Sequence, residues 1–389
     1  MTTTAGLDGE LARRHAALLA GVAASGADAL AGSREAAVTY LTGYTTSTWS
    51  NHSRPIVAVL SHGGLDVVCA ETEADAVRDR VPGVRVHPYV ELRPPGDLPG
   101  LPDGALQFSP HAVEVLRSAI DSRGIEVLAV DALGAHHPPT SRVVELAAPG
   151  GVRLVDGSAA MWRERLAKSP WEVDRMRAAA DALARAFDRL RDRLRPGLTE
   201  RAIHQALCAA SFEEGGHQIG YANVVAGVGR GLFGAPTERR WEAGEVLFVD
   251  GGLLVDGYWA DFCRMYAVGA PSAAQRDDYA RTRAALDAAV ALTPLATAGQ
   301  VGGAIGTALG LPPGEVGFGR FGHGIGLYMP EPPSLHADDA TPLGEGTVLC
   351  VEPAYLGPTG NYVVEEEHVV RAGRFERISP EAPRALIEI

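Results

Sequence analysis

The sequence predicts two domains, an α/β domain over residues 1–157 and an α+β domain over 158–389. Three observations carry this. Strand-like and helix-like patterns alternate through the first 155 or so residues. The pattern then changes to a long amphipathic helix. Beyond it, apolar strands hold carboxylates, which apolar strands ordinarily exclude.

In the first part, "ELARRHAALLAGVAASGADAL" reads as an amphipathic helix, and "RPIVAVLSHGGLDVVCA" as two strands around a Gly-Gly turn. "VRVHPYV" and "IEVLAVD" read as buried strands, with the helix "HAVEVLRSAI" between them. Next, Val173, Met176, Ala180, Leu183, Phe187, Leu190 and Leu194 recur at steps of three and four, so one long helix lays an apolar stripe on a core. Arg195-Pro196-Gly197 ends it, and Thr199 is placed to cap the following helix. "EVLFVDGGLLVDGYWADFCRMYAVG" reads as a β-hairpin around an Asp-Gly turn. Two further helices and the closing strands "GTVLCVEPAYL", "NYVVEEEHVVRAG" and "RFERIS" complete the chain.

Composition narrows the function. With 46% hydrophobic and 21% charged residues, the 389-residue chain is ordinary for a soluble globular protein. A net charge of −13 disfavours nucleic acid and anionic membranes as partners. No run of 18 apolar residues is present, so no membrane span is expected. The N-terminus lacks a basic-then-apolar signal layout, and the four cysteines are widely separated, which fits free thiols in a cytoplasmic protein.

The carboxylates are the informative feature. Asp250 ends "VLFVD", Asp261 sits in "YWADFC", Glu352 ends "VLCVE" and Glu365 follows "NYVV". An ionised carboxylate in such a strand costs several kcal/mol unless it is paired or holds a metal. Arg264 and Arg371 are the only nearby cations in these strands, too few for four acids. A four-residue loop at 254–257 would set Asp250 and Asp261 opposite each other on one hairpin face. With His323, glycine-flanked in "FGHGIGL" so that a ligand can come close, four carboxylates and an imidazole would balance two divalent cations.

"VDGGLLVDGYWADFCRMYAVG", "GHGIGL" followed by "EPPSL", "VEPAY" and "VVEEEHVV" together resemble the successive metal-site motifs of the creatinase/prolidase/methionine aminopeptidase superfamily. The resemblance is close from about residue 166 to the end and looser before it. It implies an N-terminal α/β domain followed by an α+β pita-bread catalytic domain, acting as a homodimer. It further implies a dinuclear centre of two divalent metal ions (Mn, Fe, Co or Zn) held by Asp250, Asp261, His323, Glu352 and Glu365, with Glu352 relaying a proton. Glu367 is the alternative last ligand, and Glu366 points away if strand parity holds.

Family peptidases usually carry two more histidines, where this chain has Phe233 (or Gly234) and Pro330. That departure shifts the expected reaction from Xaa-Pro peptide cleavage toward hydrolysis of a C–N bond, amide or amidine, in a small non-standard substrate. An Xaa-Pro aminopeptidase or dipeptidase, a lyase on the same scaffold and a non-catalytic binding module are the alternatives. Glu331 is a further catalytic candidate, and Tyr221, His217, Tyr258, Trp259 and Tyr362 are candidates to line the pocket. In "YTTSTWSNHSRP", Trp49, Asn51, His52 and Arg54 form a turn-rich loop, and the resemblance implies an N-terminal domain that leans over the neighbouring subunit's site, from which these residues, Arg54 among them, could contact substrate.

Overall fold

The computed structural model describes residues 6–50, 54–91, 109–132, 140–148, 150–229, 231–293, 297–312 and 319–389. Asn51 and His52 lie outside them. The chain divides into two compact units, Met1–Arg165 and Leu166–Ile389.

The first unit contains α1 (Leu7–Ala23), β1 (Ala29–Gly32), α2 (Glu35–Thr42), β2 (Val57–Ser61), β3 (Gly64–Ala70), α3 (Ala74–Arg80), β4 (Arg85–Tyr89), α4 (Pro110–Ser122), β5 (Val127–Val130), α5 (Thr140–Ala147) and β6 (Arg153–Asp156). Its six strands form one mixed sheet in the order β4-β3-β2-β1-β5-β6. Only β1–β2 and β2–β3 pair antiparallel, the latter through the short turn at His62 and Gly63. The strands read as near-continuous apolar runs because Val57, Val59, Val68, Leu128 and Val130 are all buried beneath helices such as α4. Helix α6 (Ser158–Leu166) follows.

The second unit begins with α7 (Pro170–Arg193), the long amphipathic helix. Ser169 and Glu172 form a capping box at its start, and Pro170 occupies a first-turn position where its missing N–H costs nothing. Its buried residues Val173, Met176, Ala180, Leu183, Phe187 and Leu190 are those of the apolar stripe. The side chain of Thr199 accepts from the Ala202 amide and caps α8 (Glu200–Glu213).

Strands β7 (Gln218–Ala226), β8 (Val246–Val255) and β9 (Tyr258–Ala267) follow, then α9 (Ala273–Val290) and α10 (Ala298–Leu309). The chain closes with β10 (Gly322–Gly324), β11 (Glu331–Ser334), β12 (Val348–Val351), the hairpin β13 (Ala354–Gly357) and β14 (Gly360–Val363), then β15 (Glu366–Arg371), β16 (Arg374–Arg377) and β17 (Ile387–Glu388). One sheet runs β17-β9-β8-β7 and another β11-β10-β12-β15-β16. Alternate residues of β8 and β9 face different cores. Leu247, Val249, Ala260 and Phe262 pack with α7 and α8, whereas Val246, Phe248, Cys263 and Met265 pack with α9, α10 and the five-stranded sheet. Asp250 shares its parity with Phe248, and Asp261 with Cys263, so both acids face the second core.

The β8–β9 connection is shorter than the expected four-residue loop. It is a two-residue turn at Asp256 and Gly257, with φ of 49° and 85°. Positive φ at both positions matches the right-handed strand twist, and Asp-Gly suits it. Asp250 therefore pairs with Cys263 and Asp261 with Gly252. The two acids lie diagonally on one face, not directly opposite each other. Among the described residues, no helix is long and apolar enough to cross a membrane.

Candidate metal centre

Five strands deliver the acidic cluster. β8 and β9 carry Asp250 and Asp261, β10 carries His323 at its centre, Glu352 follows β12, and Glu365 precedes β15. Asp250, Asp261 and Glu365 each place a carboxylate oxygen within 4.8 Å of the others, and all three are buried. His323 Nε2 lies 3.4 Å from Asp261 Oδ2 and 3.6 Å from Glu352 Oε1. The five residues line one cavity of about 650 Å³, a size suited to a small ligand.

The hydrogen bonds leave the donor atoms free. Tyr221 donates its hydroxyl to Asp261 Oδ1 at 2.5 Å, and Asn223 Nδ2 donates to Asp250 Oδ2 at 3.4 Å. Asp250 Oδ1, Asp261 Oδ2, Glu365 Oε1 and Glu367 Oε2 are buried with no hydrogen-bond partner among the described residues. At His323, Nδ1 faces the Gly324 carbonyl at 2.9 Å. A carbonyl only accepts, so Nδ1 carries a proton and Nε2 is the ring atom turned to the acids; burial lowers the imidazole's pKa, but Asp261 and Glu352 outweigh it and raise it above its ordinary value.

Burial, with the neighbouring carboxylates Asp261 and Glu352, pushes Asp250 well above the usual carboxylate range, and Glu365 is raised by burial and by Asp261 and Asp250. Glu352 is also raised by burial, with His323 opposing. Clustered acids whose unpaired oxygens converge on one buried point are the donor set that divalent cations satisfy. The residues present fit such ions.

A model of metallopeptidase family M24 matches residues 174–373, just over half the chain and the stretch that holds all five of these residues. The chain belongs to metallopeptidase family M24. Among its relatives, a probable dipeptidase PepE of Mycobacterium tuberculosis is 30% identical over 244 residues, which are 60% of this chain and 63% of that one. The match thus spans less than two thirds of that relative's length. An Xaa-Pro dipeptidase of Lactobacillus delbrueckii subsp. lactis is 28% identical over 68% of this chain and 72% of its own. Among solved structures, dipeptidase PepE from Mycobacterium ulcerans superposes with a TM-score of 0.77 at 26% identity, over 98% of both chains. An X-Pro aminopeptidase from Thermotoga maritima, at 19% identity and a TM-score of 0.78, shares the fold over 96% of this chain and 99% of its own. The fold is therefore the pita-bread architecture of the prolidase structures, an N-terminal domain preceding an M24 catalytic domain.

Several expected pocket residues lie elsewhere in this M24 chain. Glu331 is not among the lining residues. Its Oε2 pairs with Lys168 Nζ at 3.0 Å and its Oε1 accepts the Leu327 and Tyr328 amides, both at 3.0 Å, so it holds a loop. Tyr258 donates its hydroxyl to Glu172 Oε1 at 3.0 Å and meets the Trp171 ring edge-on. Trp259 packs against Gly220, where an added Cβ would sit 2.8 Å from its ring. His217 Nδ1 accepts the Asp256 amide, so this exposed side chain serves the hairpin turn. Tyr362 is buried in the α9–α10 core, its hydroxyl 2.7 Å from Thr359 Oγ1. Arg54, which the resemblance sets over a neighbouring subunit's site, pairs with Glu91 within the first unit. Tyr221, Phe233 and Pro330 do line the cavity, and Phe233 is 67% exposed.

The cavity also holds residues that the sequence did not single out. Asn223 and Met329 line it, and Arg320 is the only arginine or lysine among the described lining residues. Arg320 lies three residues before His323, a proximity that could have flagged it. Of the three consecutive glutamates, Glu365 lines the cavity. Glu366 pairs with Arg283 Nη1 at 2.6 Å, while Glu367 accepts the Asp261 amide at 2.7 Å through Oε1.

The glycines around His323 have a different cause from the expected ligand approach. An added Cβ at Gly322, whose φ is +143°, would sit 2.2 Å from the Cys350 carbonyl oxygen, and one at Gly324 would sit 2.1 Å from that of Pro332. Neighbouring backbone, not ligand, demands them. Gly324→Ala forces β10 from β11 and is expected to cost about 1–3 kcal/mol, a Tm loss of about 2–4 °C per kcal/mol in a thermal melt.

Proposed function

We propose that this M24 chain is a dinuclear metal-dependent hydrolase of short peptides, with Xaa-Pro dipeptides as the substrate class. The convergence of three unpaired, buried carboxylate oxygens, those of Asp250, Asp261 and Glu365, at the cavity carries the reading. The relatives named as dipeptidases favour a peptide over the amide or amidine substrate that the missing histidines suggested. They match only part of their own length to this chain, so the activity is inferred from the site and the family together.

Asp250, Asp261, His323, Glu352 and Glu365 would hold the ions. When bound, two divalent ions supply Lewis-acid polarisation of the scissile carbonyl and activation of water. The remaining work falls to the chain. Tyr221 and Asn223 each occupy one carboxylate oxygen, which aims the other at the ions. Glu352, beside His323 Nε2, takes up and returns the proton. Leu232, Phe233, Phe248, Pro330 and Val363 give the cavity an apolar wall for a proline ring, and Arg320 supplies the positive charge to receive the free carboxylate of a dipeptide. The sequence resemblance supports a homodimer and ions drawn from Mn, Fe, Co or Zn, and the widely separated cysteines support a cytoplasmic location.

The test is a panel of Xaa-Pro dipeptides, tripeptides and non-peptide amides incubated with Mn(II)-loaded protein in isotopically labelled water, read by mass spectrometry. The expected result is dipeptide cleavage with one solvent oxygen incorporated, lost on chelation. Two bound metals with no peptide cleavage would overturn the substrate class. Turnover without solvent oxygen would replace hydrolysis by elimination.

A further inference from the structure

Behind the carboxylates stands a residue that the five-ligand set leaves out. The register of β10, β12 and β15 sets His323 opposite Cys350 and Cys350 opposite Glu367. Residues paired across neighbouring strands project to one face, so imidazole, thiol and carboxylate form a row. Asp261, on β9, meets this row through the hydrogen bond that its backbone N–H donates to Glu367 Oε1. Asp261, His323 and Cys350 each offer one donor atom within 4.8 Å of the others, and all three are buried.

Two observations bear on what this spot can receive. Asp261 Oδ2 and Glu367 Oε2 are buried without a hydrogen-bond partner among the described residues. The Cys350 thiol meets the Asp261 carbonyl at 3.7 Å, a weak bond that a metal–sulfur bond would replace at little loss. The second thiol in this region serves as an internal contrast. Cys263, also buried, turns its sulfur to the Val363 carbonyl at 3.6 Å and belongs to no such donor group among the described residues.

We infer that Cys350 is a sulfur donor to the half of the centre built on Asp261 and His323. That half then has mixed nitrogen, oxygen and sulfur ligation. It selects thiophilic divalent ions such as zinc, cadmium and cobalt over manganese, because a soft sulfur donor binds them more strongly. On binding, the S–H bond breaks, its proton leaves to solvent and a metal–sulfur bond forms. The inference rests on the dinuclear reading above.

Cobalt(II) titration of the metal-free full chain, followed by absorption, separates the two. The expected result is visible ligand-field bands, which report ions in the site, together with a near-ultraviolet sulfur-to-cobalt charge-transfer band. Cys350→Ser should lose the near-ultraviolet band and keep both the visible bands and the cobalt stoichiometry, whereas Cys263→Ser should keep all of them. In competition, the preference of the site for cadmium over manganese should fall at least about tenfold in Cys350→Ser, and likewise in Cys350→Ala should the serine variant fold poorly. Visible bands without a charge-transfer band in the unmodified protein would overturn the sulfur donor and leave the dinuclear reading standing. A charge-transfer band that survives in Cys350→Ser would do the same. A chain that takes up no cobalt overturns both.

Discussion

Asp261→Asn is expected to lower turnover at least about a hundredfold and to reduce the metal bound per chain. The same substitution should stabilise the metal-free protein. The two effects share one cause. Asp261 is fully buried among Asp250, Glu365 and Glu352, and each of those three is raised by burial and by the Asp261 charge. With ions bound, the charges are compensated and removing one costs affinity. Without ions, removing one relieves repulsion that the fold otherwise bears. The amide keeps the shape, still accepts from Tyr221, and leaves the backbone bond to Glu367 untouched. Thermal melts with and without a chelator, beside metal analysis, check this. Shifts of the same sign in both states, or full turnover, would remove Asp261 from the metal centre.

The pH dependence of the chelated protein follows from the same cluster. Asp250 and Glu365 have folded pKa values above those of free carboxyls, so the folded chain binds more protons than the unfolded one. Stability of the metal-free protein therefore falls as pH rises from about 4, the ordinary carboxylate range, and the loaded protein should lack this trend.

The sequence disclosed this cluster because charge in an apolar strand is conspicuous. Asp250, Asp261, His323, Glu352 and Glu365 lie in five separate segments, yet each breaks a run of buried residues. Parity along β8 and β9 was readable for the same reason. The hairpin register was not, since it depended on whether two or four residues turn the chain, and only the positive φ at Asp256 and Gly257 decides that. Residues that act by touching a neighbouring strand or loop were least legible. Asn223 matters because β7 pairs it with Asp250, and Arg320 because its segment ends at the cavity. Glu331 misleads in the opposite sense. It sits in "EPPSL", beside the position of a missing family histidine, but its partner Lys168 is 163 residues away in sequence. A buried acid announces that something compensates it; the sequence alone does not say whether that is an ion, a lysine or a pair of amides.

That ambiguity makes Lys168→Met the sharpest test of a structural acid in this fold. The Lys168 and Glu331 side chains are 3% and 1% exposed, and their ion pair spans 3.0 Å. Removing the ammonium leaves a buried carboxylate with its Oε1 still bonded to two amides and its Oε2 without the lysine. The expected loss is about 3–5 kcal/mol, the usual result of breaking a buried pair, or a Tm lowered by roughly 10 °C for a unit of this size. Adding Glu331→Gln removes the carboxylate charge and keeps an acceptor for the Leu327 and Tyr328 amides, so the double variant should recover most of that loss. Function should follow the same order. Glu331 fixes the loop that carries Met329 and Pro330 into the cavity wall, so the single variant should raise KM more than it lowers kcat, and the double variant should restore it in part. Were the single variant as stable as the parent, the pair would contribute nothing beyond its own desolvation, and the loop-holding role of Glu331 would fall.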